Sequence, residues 1–479
     1  MVEFGNQLKQ FLEESGVSVN RFSKMIDMDR SYLYRIFNGT KTVPEEKLYT
    51  ILKSEIFSQE QRNALRNSYY AQRHGQGQYE RIRTVLRNLE KACSESAGDP
   101  LLFDPEHASP LEHPACFSDA TSLCTEIGNQ LVLSCRGQDD FLYTNYTCEQ
   151  VEVDQVVYSI LRAAPEKVRF HRYMYFSPSG DSVHNINAIF SSFKFLIMGY
   201  NVSVRYQNRD SQSRQLELFP YFIYCKRGLM LFDTAAENGL WIPDAILSTA
   251  IREKIIQMES SFQPLALMPR DIFELKDFVG NFSQLEYSVG NISYYPCLGP
   301  YMTEEILFEL ANPSLSNIPY LIASTMNHYA TMKEVYSTFT LEGLREFIET
   351  GVVLDFPRNI IQGPLSPSQR IIVLKKILDK FRRNPTSVQL LDTTKIHFPK
   401  GYNIEFYDRN QHKAALAATR DREDGNGFLY DIIIPIEDPV LANDIILFKD
   451  FLVYNRFVYE EHYTEHLLED LMTLAKTFI

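Results

Sequence analysis

The stretch DRSYLYRIFNGTKTVP, residues 29–44, decides how the front of this chain is read. Asp29 is a natural N-cap, Leu33 and Ile36 share one apolar face, and Asn38-Gly39 supplies two residues that tolerate a left-handed stop. The other face carries Arg30, Ser31, Tyr34 and Arg35. A small, polar and basic loop follows: Asn38, Gly39, Thr40 and Lys41. Two readings compete, an ordinary surface helix and a helix built to enter a DNA groove.

Working outward, the residues on either side form a run of short helices. Leu8, Phe11 and Leu12 share a face over residues 4–15. Ser18 is placed to cap a second helix carrying Phe22, Met25 and Ile26. Pro44 opens a fourth helix with Leu48, Ile51 and Leu52, and Ser58 a fifth that runs to about His74. A DNA-reading pair needs a second helix whose N-terminal polar side chains reach base edges, an apolar underside that locks onto the first helix, and a loop close to phosphate. Residues 18–44 supply all three.

The segment SVNRFSKMIDMDRSYLYRIFNGTKTVP resembles the helix-turn-helix of the lambda-repressor-like (XRE) family of transcription regulators. The resemblance covers about residues 4–56. Phe22-Ser23 stands where Leu-Ala is usual, Val19 where Gln is usual, Phe37 where Glu is usual, and Asp27-Met28-Asp29 replaces the usual turn. The resemblance implies base reading by Arg30, Ser31 and Arg35 and backbone contacts from Asn38, Thr40 and Lys41, with Ser18 and Tyr34 beside them. Arginine is the usual bidentate reader of guanine. It also implies double-stranded DNA as partner and a homodimer on a near-palindromic site. The competing reading is a small helical domain used for protein contacts.

Charge is unevenly spread. The chain of 479 residues carries a net −13. Residues 1–91 hold 15 Lys and Arg against 11 Asp and Glu, a net +4, which leaves −17 on the remainder. A weakly basic head on an acidic body localises any DNA contact to the head. The seven cysteines form no CxxC pair, which favours reduced thiols and a cytoplasmic protein. No apolar run is long enough to span a bilayer, and the N-terminus lacks a signal-peptide pattern.

Beyond HGQGQ (74–78), Ile82, Val85, Leu86, Leu89 and Cys93 make an amphipathic connector, and an acidic, Pro-rich stretch runs to about residue 115. The body alternates strand-like and helix-like segments, with a helical middle over about 245–384. The expected fold is an all-α helix-turn-helix domain (1–75), a connector and linker (76–115), and a large α/β body in two halves, 116–300 and 301–479. Internal duplication is indicated weakly, by a helix, strand, hairpin and helix in the same order over 184–260 and 368–455.

Three constellations in the body invite chemistry. HYTEH (462–466) matches a zinc-protease pattern, but no third ligand of that kind follows it, and an amphipathic helix accounts for the residues. His412-Lys413, with Asp421, Glu423 and Asp424, is reminiscent of phospholipase-D-like phosphodiesterases. That chemistry needs His and Lys one residue apart in each half, and here they are adjacent. The tyrosines of RFHRYMYF and PYFIYC sit at alternate strand positions, which suits a core or a pocket for a small ligand or peptide. The expectation is therefore a cytoplasmic DNA-binding regulator with no catalytic residues, no metal and no cofactor. Its body would sense a small-molecule or peptide effector. The rivals are a DNA-targeted hydrolase or nuclease, and a defence-system interaction protein.

Overall fold

Side-chain caps start three of the first five helices, the second, third and fifth. In this computed structural model α1 is Phe4–Glu14, α2 Val19–Met25, α3 Arg30–Phe37, α4 Glu45–Lys53 and α5 Gln59–His74. Ser18 accepts from the Arg21 N–H at 3.3 Å, and Ser58 and Gln61 form a reciprocal capping box. Gly75, at φ +81°, is the only interruption before α6, Gln76–Ser94, so the helix begins earlier than the 74–78 break suggests. The structure describes residues 4–54, 56–94, 108–135, 140–147, 149–163, 168–177, 182–206, 218–269, 274, 288–314, 318–331, 334–356, 360–407, 413–419 and 431–478.

The chain divides into two compact units, Met1–Thr84 and Val85–Ile479. In the first, Leu8, Leu12, Phe22, Leu33, Ile36 and Leu48 are buried together. The helices approach so closely that a Cβ on Gly5 of α1 would lie 1.9 Å from the carbonyl oxygen of Ile36 on α3. Gly5→Ala must push the two helices apart, which costs about 1–3 kcal/mol in overpacked cores. The expected result is a lower melting temperature for residues 1–84, read by circular dichroism; an unchanged melt would mean that α1 shifts freely.

The second unit holds two sheets built on one plan. The first contains β1 (Ala115–Phe117), β2 (Asp140–Thr144), β3 (Val168–Phe176), β4 (Asn201–Tyr206), β5 (Tyr221–Cys225), β6 (Gly228–Phe232), β7 (Gly239–Pro243) and β8 (Gln263–Pro264), in the order β1-β7-β6-β5-β2-β3-β4-β8. The second contains β9 (Ser288–Ser293), β10 (Glu334–Thr340), β11 (Val388–Leu391), β12 (Tyr402–Tyr407), β13 (Lys413–Ala418) and β14 (Ile432–Ile436), in the order β11-β10-β9-β12-β13-β14. Set β1 and β8 aside at the edges, and β2–β7 repeat as β9–β14 in order and direction. Three parallel strands lead (β2, β3, β4; β9, β10, β11), and an antiparallel meander is added beside the first of them.

The helices obey the same plan. α7 (Ala120–Ser134) precedes β2, α8 (Val151–Ala163) links β2 to β3, and α9 (Ser182–Ile197) links β3 to β4. α10 (Thr249–Gln257) follows β7. In the second half α11 (Glu304–Leu310) and α12 (Ile318–Thr331) link β9 to β10. α13 (Leu341–Thr350) and α14 (Pro367–Arg383) link β10 to β11, and α15 (Pro439–Tyr454) follows β14. α16 (Glu461–Lys476) ends the chain. The duplication expected over 184–260 and 368–455 is present and extends upstream to β2 and β9.

The middle is mostly helical, as expected, but it also holds strands that the sequence did not announce. β9 and β10 lie inside residues 245–384 and occupy the centre of the second sheet. Their sequences, SVGNIS and EVYSTFT, carry Asn, Ser and Thr where a buried strand is usually aliphatic. Several of those polar groups are satisfied internally: Asn291 donates to Ser293 Oγ at 3.0 Å, Ser293 to the Tyr295 carbonyl at 2.5 Å and Thr340 to the Tyr294 carbonyl at 2.8 Å, while Ser337 Oγ is buried with no hydrogen-bond partner among the described residues. The second sheet thus begins at Ser288. The halves touch where Leu267 and Ile433 exchange backbone hydrogen bonds of 2.7 and 2.8 Å, and where the rings of Phe193 and Tyr402 lie 5.0 Å apart.

Candidate nucleic-acid interface

The turn between α2 and α3 lacks the glycine usual in such pairs, and Asp27 takes the left-handed conformation in its place, at φ +48°. Aspartate tolerates this better than most residues, at a penalty of about 1–2 kcal/mol. Lys47 of α4 holds the strained turn closed. Its ammonium donates to the carbonyls of Ile26 at 3.3 Å and Asp27 at 2.7 Å, and lies 3.6 Å from the Asp27 carboxylate. Sequence reading missed Lys47, because nothing local to the turn points 20 residues downstream.

α3 is fixed at both ends. Asp29 accepts from the backbone of Ser31 at 2.8 Å and Tyr32 at 3.2 Å, and also from the Ser31 hydroxyl. That hydroxyl and those two N–H groups hold the Asp29 carboxyl below the usual carboxylate range. At the other end the Thr40 hydroxyl and N–H both donate to the Arg35 carbonyl, at 3.0 and 2.9 Å. Gly39 turns the chain at φ +69°. Leu33, Ile36 and Phe37 are buried beneath the helix.

The outward face gathers the expected reading residues. Arg30, Ser31, Tyr34 and Arg35 are all exposed on α3. The Arg30 guanidinium lies 5.5 Å from the Tyr34 ring centroid, and its Nη2 is 3.5 Å from the Tyr34 hydroxyl. Arg35 lies 5.9 Å from the Tyr32 ring, with Nη2 3.5 Å from Ser31 Oγ. Each arginine is therefore laid along the helix on an aromatic ring, which limits the entropy lost when it contacts a base. Asn38, Thr40 and Lys41 are exposed just past the helix, and Ser18 at the start of α2. Ser18, Ser31 and Thr40 already carry capping hydrogen bonds, so their hydroxyls serve the fold first.

Two of the three other constellations lie within the described residues. His462 and His466 sit on α16 with ring centroids 5.7 Å apart, and His466 Nδ1 is 3.9 Å from Glu469, an exposed pair. Among the described residues, no three His, Cys, Asp or Glu side chains group as a metal site. His412, Asp421, Glu423 and Asp424 lie outside the described residues. Tyr143, Tyr173 and Tyr224 stack across β5, β2 and β3, with centroids 6.2 and 6.4 Å from Tyr143. Among the described residues, no helix is long and apolar enough to cross a membrane.

A helix-turn-helix family model matches residues 8–54. No curated protein matches the chain. One solved structure, that of the yeast tyrosyl-DNA phosphodiesterase, overlays on 63% of this chain and 84% of its own at 10% identity. Its TM-score is 0.19, which establishes no shared fold. The matched residues span α2, α3, their turn and α4, the elements just described, and so the N-terminal region of this chain is a helix-turn-helix domain of the family its sequence resembles.

Proposed function

We propose that the protein is a sequence-specific, DNA-binding transcription regulator of the cytoplasm, acting as a homodimer, with a body that responds to an effector. The observation that carries this reading is the α3 face, where Arg30 and Arg35 are exposed and each rests on a tyrosine of the same helix. In this reading α3 enters the major groove, Arg30 and Arg35 read bases with Ser31 beside them, and Ser18, Tyr34, Asn38, Thr40 and Lys41 contact the backbone. The −17 charge beyond residue 91 confines the phosphate contacts to the head.

The test is a titration against selected and random duplexes at several salt concentrations. Arg30→Ala and Arg35→Ala are expected to lower affinity for the selected site by about five- to 150-fold, the worth of one bidentate base contact, and to leave random DNA nearly unchanged. Lys41→Ala should weaken both duplexes alike and reduce the salt slope by about one. Equal losses on both duplexes for Arg30→Ala would remove it from the base-reading set.

A further inference from the structure

The second unit contains a cavity of about 870 Å³ at the carboxyl ends of β9, β10 and β11. β9 is the strand from which the chain order of the sheet runs both ways, and open α/β sheets bind ligands at such a point. The floor is polar: Thr340, Glu342, Thr393 and Thr419. The walls are aromatic, with Tyr158, Tyr294, Phe398 and Tyr402. Arg162, His397 and Lys400 stand exposed around the mouth with one exposed acid, Glu90, and Lys400 Nζ lies 2.9 Å from Glu346 Oε1.

Two floor atoms are unsatisfied. Glu342 Oε1 accepts the Thr393 hydroxyl at 2.6 Å, while its Oε2 is buried with no hydrogen-bond partner among the described residues. Thr419 Oγ1 is buried in the same condition. A buried carboxylate oxygen without a donor is costly unless something supplies one. The floor therefore asks for an N–H donor, the walls for a flat ring, and the mouth for an anion.

We propose that this cavity binds a small molecule that joins a flat, N–H-bearing ring to an anionic group, the chemistry of a nucleoside monophosphate. The ring stacks among the tyrosines and donates to Glu342 Oε2. The Thr419 hydroxyl takes a second polar edge, and Arg162, His397 and Lys400 meet the anion. The assignment deepens the effector reading above, because Glu90, Ala92 and Cys93 of α6 form part of the wall and that helix begins at Gln76.

The probes are guanosine and adenosine monophosphates, with guanosine and adenosine as phosphate-free controls, titrated calorimetrically into the full chain. One nucleotide is expected to saturate at one per chain, and its nucleoside to bind at least about tenfold more weakly. Glu342→Gln and Arg162→Ala should each weaken the nucleotide by about tenfold or more, at an unchanged melting temperature. Should Glu342→Gln unfold, Thr419→Val and Arg162→Ala carry the test. Failure of both nucleotides to saturate the chain, or variants that bind as the parent does, overturns the assignment. DNA affinity measured on the same samples separates the two readings. A chain that binds DNA but neither nucleotide sinks the cavity alone, and one that binds nucleotide but no DNA sinks the DNA reading alone.

Discussion

Asp154→Ala is expected to destabilise the second unit by about 3–5 kcal/mol, the loss typical of removing one partner from a buried ion pair. Asp154 lies on α8 with both oxygens engaged. Arg172 Nη1 of β3 is 2.9 Å from one, and Lys194 Nζ of α9 is 2.5 Å from the other. Arg172 is fully buried, its guanidinium carbon 4.7 Å from the Tyr146 ring centroid and 4.9 Å from that of Phe195. Without the carboxylate, two cations remain, Arg172 wholly out of water and Lys194 nearly so. Burial alone pushes the Asp154 carboxyl up, yet Arg172 and Lys194 together hold it below its ordinary value of 3.8. Its contribution is therefore fully present above that value and is lost as pH falls through the lower, folded-state one. Urea unfolding read at Trp241, buried in β7, gives the measurement. Replacing Asp154, Arg172 and Lys194 together with apolar residues should recover much of the loss. A single variant as stable as the parent would show that solvent enters the cluster.

Arg370→Met is expected to cost on the order of 3 kcal/mol, since hydrogen bonds to charged groups are worth about 1.5–3 kcal/mol each and do not add fully. α13 ends at Gly351, which is left-handed at φ +71°. The last carbonyls of a helix have no partner within it. Arg370, from the first turn of α14, reaches back to them. Nη1 donates to Ile348 and Glu349 at 2.8 and 2.9 Å, Nη2 to Thr350 at 3.2 Å, and Nε to Leu365 at 2.8 Å. A planar fork at the negative end of a helix dipole does what a single ammonium cannot, so Arg370→Lys should recover less than half of the loss. Denaturant midpoints for both variants, with hydrogen exchange in the last turn of α13, decide it. Full rescue by lysine would mean that charge alone matters.

The head was legible because its signals are local. Ser18, Asp29 and Ser58 announce helix starts within three residues of the N–H groups they cap, and Leu33, Ile36 and Phe37 mark the buried side of α3. The body was legible where strands are apolar, aliphatic as in β13 and β14 or aromatic as in β3 and β5. β9 and β10 hide their buried polar pairs in a composition that reads as loop or helix. Long-range partners left no trace: Lys47 under the α2–α3 turn, Arg370 across 20 residues of chain, and Glu342 with Thr393 on the cavity floor. Each is chemically ordinary until the fold brings its partner near. The outward arginines of α3 were found because a DNA-reading helix requires them at that spacing.

The repeated strand plan bears on stoichiometry. Two half-sized copies meeting as a symmetric pair would carry every feature twice, and a substitution in one would appear in both. Joined on one chain, they are free to specialise. The first copy packs an ionic triad beside its sheet, and the strand ends of the second open into a cavity that α8 and α9 of the first help to wall, with no obligation to repeat either. On the proposed reading each chain would offer one receptor and one reading head, so a pair of chains on a palindrome would hold two effectors for two half-sites, and any cooperativity between them would have to arise between chains rather than within one.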